Sequence, residues 1–179
     1  MIHLAAETRV ARSIQGSRVF VDSNITGNFT LLEASRAYLA GAGPAVREGF
    51  RFVHVSTDEV FAALGPVGAF SEASPYDPSS PYSATKAAPD HQARAWGRTY
   101  GLPVIVTHGS NTYGPWQFPE KLILRTILAA FEGPPLPVYG DGSHVRDRVF
   151  LDDHARARPA PSARGPNVAT STSCGGSAL

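Results

Sequence analysis

Cysteine, net charge and long apolar runs are all scarce in this sequence of 179 residues. The single cysteine, Cys174, excludes an internal disulfide framework and any metal site built from several cysteines. The 16 basic and 15 acidic residues leave a formal charge of +1, which gives no electrostatic reason to expect nucleic acid or a membrane surface as a partner. No apolar run approaches the length of a membrane span, and the first residues do not resemble a signal peptide. We therefore expect a cytoplasmic protein with one domain.

Lysine is scarce as well. Of the 16 basic residues, 14 are arginine, and the two lysines are Lys86 and Lys121. An ammonium group and a guanidinium group do different chemistry, so each lysine is a candidate functional residue. The six histidines have no paired ligand spacing, so we predict no metal site.

Strand-like segments alternate along the chain with segments whose apolar residues have helical spacing. The residues of Arg51–Ser56 alternate in polarity and include β-branched ones, as in a strand. Leu102–Thr107 is apolar enough for a strand buried on both faces. Apolar residues have helical spacing in Ile25–Leu39, Ala84–Ala95 and Leu122–Phe131. This alternation predicts an α/β fold with a doubly wound parallel sheet.

The end of the sequence has a different composition. Residues 159–179 contain no aromatic residue, and Val168 and Leu179 are their only large aliphatic residues. Such a segment buries too little apolar surface to offset its chain entropy. We therefore predict a folded core at residues 1–158 and a disordered, low-complexity tail at residues 159–179.

Tyr82 and Lys86 lie four residues apart at the start of a predicted helix, directly after Pro81. At this spacing both side chains project from one helix face. A positive charge near a phenol favours its ionised form, which is a usable general base. A chance surface pair is the alternative, but the position after a strand and a long loop favours a functional pair.

A second polar group, Ser56-Thr57-Asp58-Glu59, directly follows a predicted buried strand. Ligand sites in parallel sheets lie outside the carboxyl ends of the strands, and two carboxylates there can supply one acid and one base. The alternative is a helix N-terminus, where these residue types are favoured as caps. The two interpretations are compatible.

Six segments together resemble the dTDP-glucose 4,6-dehydratase family, whose members are extended short-chain dehydrogenases acting on nucleotide sugars. The resemblance covers residues 2–158 and implies a partial Rossmann-like fold. The Tyr-x-x-x-Lys pair occurs across the superfamily, whereas Thr-Asp-Glu and Phe-Pro-Glu-Lys-Leu are more specific to the dehydratase. The segments are HLAAE (3–7), VSTDEV (55–60), PYSATK (81–86), SNTYGP (110–115), QFPEKLI (117–123) and LPVYGDG (136–142).

The resemblance implies a lyase that converts dTDP-glucose to dTDP-4-keto-6-deoxyglucose and water through transient reduction of NAD. In that chemistry Tyr82, polarised by Lys86, removes the proton of the C4 hydroxyl, and Thr57 binds the sugar near C4. Glu59 then removes the C5 proton and Asp58 protonates the departing C6 hydroxyl.

The same resemblance implies a homodimer and two further sets of binding residues. NAD would be bound by Leu4, Ala5, Ala6, Ser23, Tyr82 and Lys86. The nucleotide sugar would be bound by Thr8, Thr57, Asn111, Lys121, Leu122, Pro137, Val138, Tyr139 and Arg146.

The sequence also departs from the family pattern. The family begins with a strand, a glycine-rich turn and a helix that binds the NAD pyrophosphate, whereas this sequence starts at the strand carrying HLAAE. The family's substrate region also continues past residue 158. We therefore expect a core that is incomplete at both ends and that, as this chain alone, binds NAD weakly or not at all.

Substitutions inside the motifs add to these departures. Phe61, Ala62 and Thr112 replace the tyrosine, glycine and asparagine that are usual in the family. Pro89 lies inside the helix that carries the Tyr–Lys pair, where proline costs about 3 kcal/mol.

Two alternatives stay open. The first is another NAD-dependent nucleotide-sugar enzyme, such as an epimerase or UDP-glucuronate decarboxylase, against which Asp58 and the Lys121 segment argue. The second is a non-catalytic remnant of the dehydratase.

Overall fold

The structure, a computed structural model, describes residues 1–61, 68–133, 135 and 147–157, and the backbone of residues 168–173. The strands are β1 (Ile2–His3), β2 (Phe52–Thr57), β3 (Val104–Gly109), β4 (Asn111–Tyr113), β5 (Arg148–Phe150) and β6 (Val168–Ser173). The α-helices are α1 (Val10–Gln15), α2 (Arg18–Phe20), α3 (Gly27–Ala40), α4 (Pro44–Gly49), α5 (Pro81–Tyr100), α6 (Leu122–Glu132) and α7 (Leu151–Ala157). A π-helical segment, Val21–Thr26, connects α2 to α3, and a 3-10 turn, Asp58–Val60, follows β2.

A parallel sheet in the order β1-β2-β3-β6 organises the described residues. Strands β2 and β3 pair from Phe52 with Val104 through Thr57 with Gly109. Both strands are almost entirely buried, as their apolar sequences predict for central strands of a parallel sheet. The predicted α/β fold with a parallel, Rossmann-like sheet is therefore confirmed.

Helix α5 begins and ends at residues that favour those positions. Ser80 and Ser83 form a capping box, with Ser80 Oγ accepting from the Ser83 amide at 3.0 Å and Ser83 Oγ accepting from the Ser80 amide at 2.9 Å. Pro81 occupies the first turn, where its missing N–H costs nothing. Gly101 ends the helix with a φ of +67°, a left-handed conformation that glycine adopts without strain.

The core lies between the sheet and the helices α3 and α5. It consists of Leu32, Phe52, Ala93, Leu102, Val104 and Val106. Polar contacts at the edge of this core join the two helices, since Trp96 Nε1 donates to Glu33 Oε1 at 2.6 Å. The predicted helix in Ala84–Ala95 is confirmed as part of α5. The one in Ile25–Leu39 is confirmed from Gly27 onward as part of α3, whereas Ile25 lies in the π-helical segment.

The structure differs from the predicted disordered tail at β6. Its six residues pair in parallel with β3, from Val104 with Val168 through Gly109 with Ser173. The sequence VATSTS contains β-branched residues that favour an extended backbone, and β3 offers an otherwise open edge. Backbone pairing therefore replaces the apolar burial that the segment lacks. The rest of residues 159–179 lies outside the described residues.

Helix α6 confirms the helical pattern predicted at Leu122–Phe131, although most of its apolar side chains face outward. Phe131 is 86% exposed, and Leu122, Ile127 and Leu128 are also exposed. None of the helices in the described ranges has the length and apolarity needed to cross a membrane.

Candidate active site

Three loops meet at one edge of the sheet, because β1, β2 and β3 are parallel and adjacent. Leu4–Ala6 follows β1, Thr57–Glu59 ends and follows β2, and Ser110–Asn111 follows β3. Carboxyl ends of parallel strands form the usual ligand-binding edge of such sheets. The fold therefore brings the polar group after β2 to the edge that the sequence predicts.

Tyr82 and Lys86 lie on the first turns of α5 and are buried, with 7% and 5% of their surfaces exposed. The Lys86 ammonium Nζ donates to the backbone carbonyl oxygen of Val55 on β2 at 2.8 Å. The Tyr82 amide donates to Ser13 Oγ at 3.1 Å, and Thr85 Oγ1 donates to the Tyr82 carbonyl oxygen at 2.8 Å. The pair is thus fixed against β2 on one side and α1 on the other.

Thr57, Asp58 and Glu59 form a capped turn beside this pair. Thr57 Oγ1 accepts from the Glu59 amide at 3.3 Å and donates to Asp58 Oδ1 at 3.1 Å. All three residues are half-buried. The capping interpretation is therefore confirmed, and it leaves both carboxylates at the strand edge, where the functional interpretation also needs them.

The surroundings of Tyr82 disfavour its ionised form. Burial raises the pKa of its phenol, and the negative charges of Glu59, Asp58 and Asp90 raise it further, while a hydrogen bond with Thr57 acts in the opposite direction. This direction is opposite to the lowered pKa that the Tyr-x-x-x-Lys spacing predicts. Two carboxylates flank the phenol, and the Lys86 ammonium is hydrogen-bonded to Val55.

The segment Gln117–Ile123 packs against the loop after β1. Lys121 Nζ donates to the backbone carbonyl oxygen of Thr8 at 3.5 Å. Next to it, Arg9 Nε lies 2.8 Å from Glu120 Oε1, and the Arg9 guanidinium stacks over the Phe118 ring. Thr8 and Lys121 are 113 residues apart, so the structure brings together two residues that the resemblance assigned to substrate binding.

Of the remaining predicted residues, six are described by the structure and four are not. Leu4 and Ala5 are exposed and Ala6 is half-buried after β1, whereas Ser23 is exposed in the π-helical segment. Asn111 is half-buried in β4, and Leu122 is exposed at the first position of α6. Four predicted substrate residues lie outside the described residues: Pro137, Val138, Tyr139 and Arg146.

Asn24 is a site residue that sequence reasoning missed. It is buried in the π-helical segment, where its Oδ1 accepts from the Glu7 amide at 2.8 Å. Its Nδ2 donates to the Glu7 carbonyl oxygen and to Thr85 Oγ1, each at 3.1 Å. Asn24 therefore joins the loop after β1 to the helix of Tyr82. No local pattern signals this role, because its partners are 17 and 61 residues away.

The residues at this edge fit a nicotinamide group. Ala5 and Ala6 have small side chains and are open or partly open to solvent directly after β1, so a flat ring can approach the backbone there without meeting a large side chain of these two residues. Tyr82 and Lys86 supply a phenol and an ammonium close to the same edge. Among the described residues, no group of three or more His, Cys, Asp or Glu side chains is arranged to hold a metal ion.

Comparisons with known proteins show the family and the fold of the chain. The sequence profile of the GDP-mannose 4,6 dehydratase family matches residues 1–168. A dTDP-glucose 4,6-dehydratase of Neisseria meningitidis is 58% identical over 158 residues, which are 88% of this chain and 44% of that protein. The chain thus spans less than half the length of this relative.

Solved structures share the fold. DesIV, a dTDP-glucose 4,6-dehydratase from Streptomyces venezuelae solved with NAD and TYD bound, has a TM-score of 0.85 and 43% identity, and the match covers 97% of this chain and 51% of DesIV. A UDP-glucuronic acid 4-epimerase from Bacillus cereus has a TM-score of 0.86 and 28% identity, and covers 99% of this chain and 55% of that protein. The TM-scores of these two structures are nearly equal, whereas the dehydratase has the higher sequence identity to this chain.

Proposed function

The chain belongs to the GDP-mannose 4,6 dehydratase family, and from that premise we propose that it carries the catalytic core of a dTDP-glucose 4,6-dehydratase. The observation that supports this most is the grouping of Thr57, Asp58 and Glu59 around Tyr82 at the carboxyl edge of the sheet. Dehydration needs a base for the C4 hydroxyl, a base for C5–H and an acid for the C6 hydroxyl, and this group contains three such side chains.

NAD is the cofactor of this proposal, and when bound it would supply a positively charged nicotinamide ring that accepts the C4 hydride and, after water has left, returns it to C6, so that NAD is regenerated. Tyr82 and Lys86 would bind its nicotinamide half. A positive charge beside Tyr82 acts against the burial and the carboxylates that raise the pKa of the phenol. The further cofactor contacts in this proposal come from Leu4, Ala5, Ala6 and Ser23.

Each side chain has one proton to hold or move. Tyr82 Oη takes the proton of the C4 hydroxyl as C4 becomes a ketone, while Thr57 Oγ1 hydrogen-bonds the sugar next to it. The ketone acidifies C5–H, so the Glu59 carboxylate can remove that proton. Asp58 then donates a proton to the C6 oxygen, which leaves as water. Asp58 and Glu59 are neighbours in one turn, so one acts as acid while the other acts as base.

The nucleotide end of the substrate is assigned to the segment around Lys121. Its ammonium lies 3.5 Å from the Thr8 carbonyl oxygen and is partly open to solvent, as a ligand for a diphosphate requires. Asn111, Leu122, Pro137, Val138, Tyr139 and Arg146 complete the proposed substrate contacts. Residues 1–158 form the catalytic core in this proposal, and the complete protein is a cytoplasmic homodimer.

An epimerase is the second candidate, because the fold of the epimerase is as similar to this chain as the fold of the dehydratase is. Product analysis separates the two. Because this chain spans less than half the length of its relative, it is joined to the flanking segments of that relative, purified, and incubated with NAD and either dTDP-glucose or UDP-glucuronate. The nucleotide sugars are then identified by mass spectrometry. We expect a product of dTDP-glucose that has lost one water. A product of unchanged mass with inverted C4, or loss of water from neither sugar, would contradict the proposal.

A further inference from the structure

Asp90 lies at the centre of a buried polar cluster that the proposed reaction does not use. Its side chain is fully buried between α5 and the sheet. The hydroxyls of Ser56 and Tyr76 donate to Oδ2 at 2.8 and 3.0 Å, and His108 Nε2 lies 2.9 Å from the same oxygen. His54 Nε2 lies 3.1 Å from Oδ1. These five residues are called the Asp90 cluster below.

The cluster holds a charge in the interior. Burial alone raises the pKa of Asp90, but the hydrogen bond with His108 and the close approach of the His54 imidazole outweigh burial and hold the pKa well below its usual value. A buried carboxylate is costly unless its partners stay in place. The position of α5 on the sheet is therefore coupled to the contacts of this one side chain.

The same contacts set the register between α5 and β2. Lys86 lies one helical turn before Asp90, and its ammonium donates to the Val55 carbonyl oxygen at 2.8 Å. His54 and Ser56, which contact Asp90, are the two neighbours of Val55 on β2. Two consecutive turns of the helix are thus attached to three consecutive residues of the strand.

Strand β3 is attached through the same carboxylate. His108 is the register partner of Ser56, so both reach Asp90 from adjacent positions of neighbouring strands. Tyr76 adds the loop before α5, since its hydroxyl lies 3.0 Å from both Asp90 Oδ2 and His108 Nε2. The cluster therefore joins the helix, two strands and a loop at one point.

We propose that Asp90 is a positioning residue for the Tyr82–Lys86 pair, because its carboxylate fixes α5 on β2 and β3 and so holds the Lys86 ammonium on the Val55 carbonyl. This inference rests on the function proposed above, in which Tyr82 and Lys86 act on sugar and cofactor. A carboxylate that served only to satisfy buried donors would leave the Lys86 contact unchanged when it is replaced in a protein that still folds.

The two lysines of the chain allow a direct test by NMR. Isotope-labelled lysine gives side-chain signals for Lys86 and Lys121 only, and Lys121→Arg assigns them. Asp90→Asn keeps the shape of the side chain and removes its charge. We expect the ammonium hydrogens of Lys86 to exchange with water roughly tenfold faster in Asp90→Asn, which corresponds to the weakening of one charged hydrogen bond, and those of Lys121 to stay unchanged.

Asn28→Ala is the matched control on the same helix pair. Asn28 is buried, and its Nδ2 donates to Gln92 Oε1 at 2.9 Å and to the Pro89 carbonyl oxygen at 3.5 Å. Its removal therefore loosens α5 from α3 but leaves every contact of the Asp90 side chain in place. Lys86 exchange should stay unchanged in this variant. Unchanged exchange in folded Asp90→Asn, or equal acceleration in Asn28→Ala, would overturn the proposal.

Two milder variants keep the test decisive if Asp90→Asn does not fold. Ser56→Ala and Tyr76→Phe each remove one donor to Oδ2 and should each accelerate Lys86 exchange, whereas no acceleration in either would overturn the proposal. The measurement needs neither cofactor nor turnover. Absence of dehydratase activity would therefore refute the proposed function, while the exchange rates alone decide the role of Asp90.

Discussion

Lys86 and Val55 are joined by a hydrogen bond of 2.8 Å from the side-chain ammonium to the backbone carbonyl oxygen, across 31 residues of sequence. The bond attaches the second turn of α5 to the middle of β2 and keeps a charged group buried. It also determines where Tyr82 lies, because the two side chains are one helical turn apart. The geometry of the candidate active site thus depends on a contact between a helix and a strand.

Tyr82→Phe should abolish oxidation of the sugar at C4, because the group that takes the hydroxyl proton is lost while the ring still packs edge-on against Phe20. In the chain joined to the flanking segments of its relative, we expect the rate of NADH formation in a single turnover with dTDP-glucose to fall by about 10²–10⁴-fold. Tyr38→Phe, at an exposed position of α3, should have no effect. Equal NADH formation in Tyr82→Phe and the unaltered protein would remove Tyr82 from the reaction.

Glu59→Gln should stop the reaction one step later. The amide cannot accept the C5 proton, so oxidation at C4 proceeds and elimination does not. NADH absorbance should therefore rise and persist, with the 4-keto form of the substrate accumulating. Glu48→Gln, on the exposed surface of α4, should behave like the unaltered protein. A normal dehydrated product from Glu59→Gln at an unchanged rate would contradict the assignment.

His3 should make the protein less stable in mild acid. Burial, together with the charges of His54 and Lys86, lowers the pKa of His3 from 6.5 to about 4. The unfolded chain therefore binds a proton that the folded chain does not, and the free energy of unfolding falls as the pH falls from 6.5 to 4. The loss from this residue reaches about 3 kcal/mol, and no dependence on His3 is expected above that range.

Urea unfolding at several pH values tests this expectation. His3→Gln should reduce the pH dependence of the free energy of unfolding between pH 6.5 and 4. The reduction should be partial, since burial lowers the pKa of His54 as well. His91→Gln, on the exposed side of α5, serves as the control. The same slope in His3→Gln and the unaltered protein would show that His3 does not titrate in this way.

Ser80→Ala should destabilise the start of α5. The variant loses the hydroxyl that accepts from the Ser83 amide at 3.0 Å, and N-cap replacements of this kind cost about 1 kcal/mol. Ser79→Ala, at the exposed position just before it, should have a much smaller effect. Equal urea midpoints for the two variants would mean that the capping box does not stabilise the helix.

Pro89→Ala should stabilise the protein. An alanine restores an N–H in the interior of α5 that can donate to the Thr85 carbonyl oxygen, and removing a helix-interior proline gains up to about 3 kcal/mol. Loss of packing by the buried proline ring reduces the gain. Pro44→Ala tests position, because Pro44 lies in the first turn of α4, where proline is favoured. An unchanged or lower urea midpoint for Pro89→Ala would contradict this expectation.

Local patterns were sufficient to predict much of the fold. The apolar runs predicted β2 and β3 to within two residues, and the helical spacing predicted α3, α5 and α6. The position of Thr57–Glu59 after a buried strand also predicted its place at the ligand-binding edge. These features depend on residues close in sequence, which is why the sequence alone indicates them.

Contacts between distant residues were not predictable in this way. The Asn24 contacts to Glu7 and Thr85, and the convergence of His54, His108 and Asp90, depend on how the elements pack. The raised pKa of Tyr82 has the same origin, because its main cause is burial by other elements, and the carboxylates of Glu59 and Asp58, which raise it further, belong to the turn after β2. The composition of residues 159–179 predicted disorder for β6, because composition indicates only how much apolar surface a segment can bury. The backbone pairing of β6 with β3 does not depend on that surface.

The parallel sheet also bears on how fast the chain can fold. Each strand pairs with a neighbour about fifty or more residues away, as Ile2 does with Val53 and Val104 with Val168. Long loops must therefore close, at a cost in chain entropy, before the strand pairing that offsets this cost can form. A chain with such a topology folds slowly. During synthesis β1 cannot pair with β2 until β2 has left the ribosome, about fifty residues later.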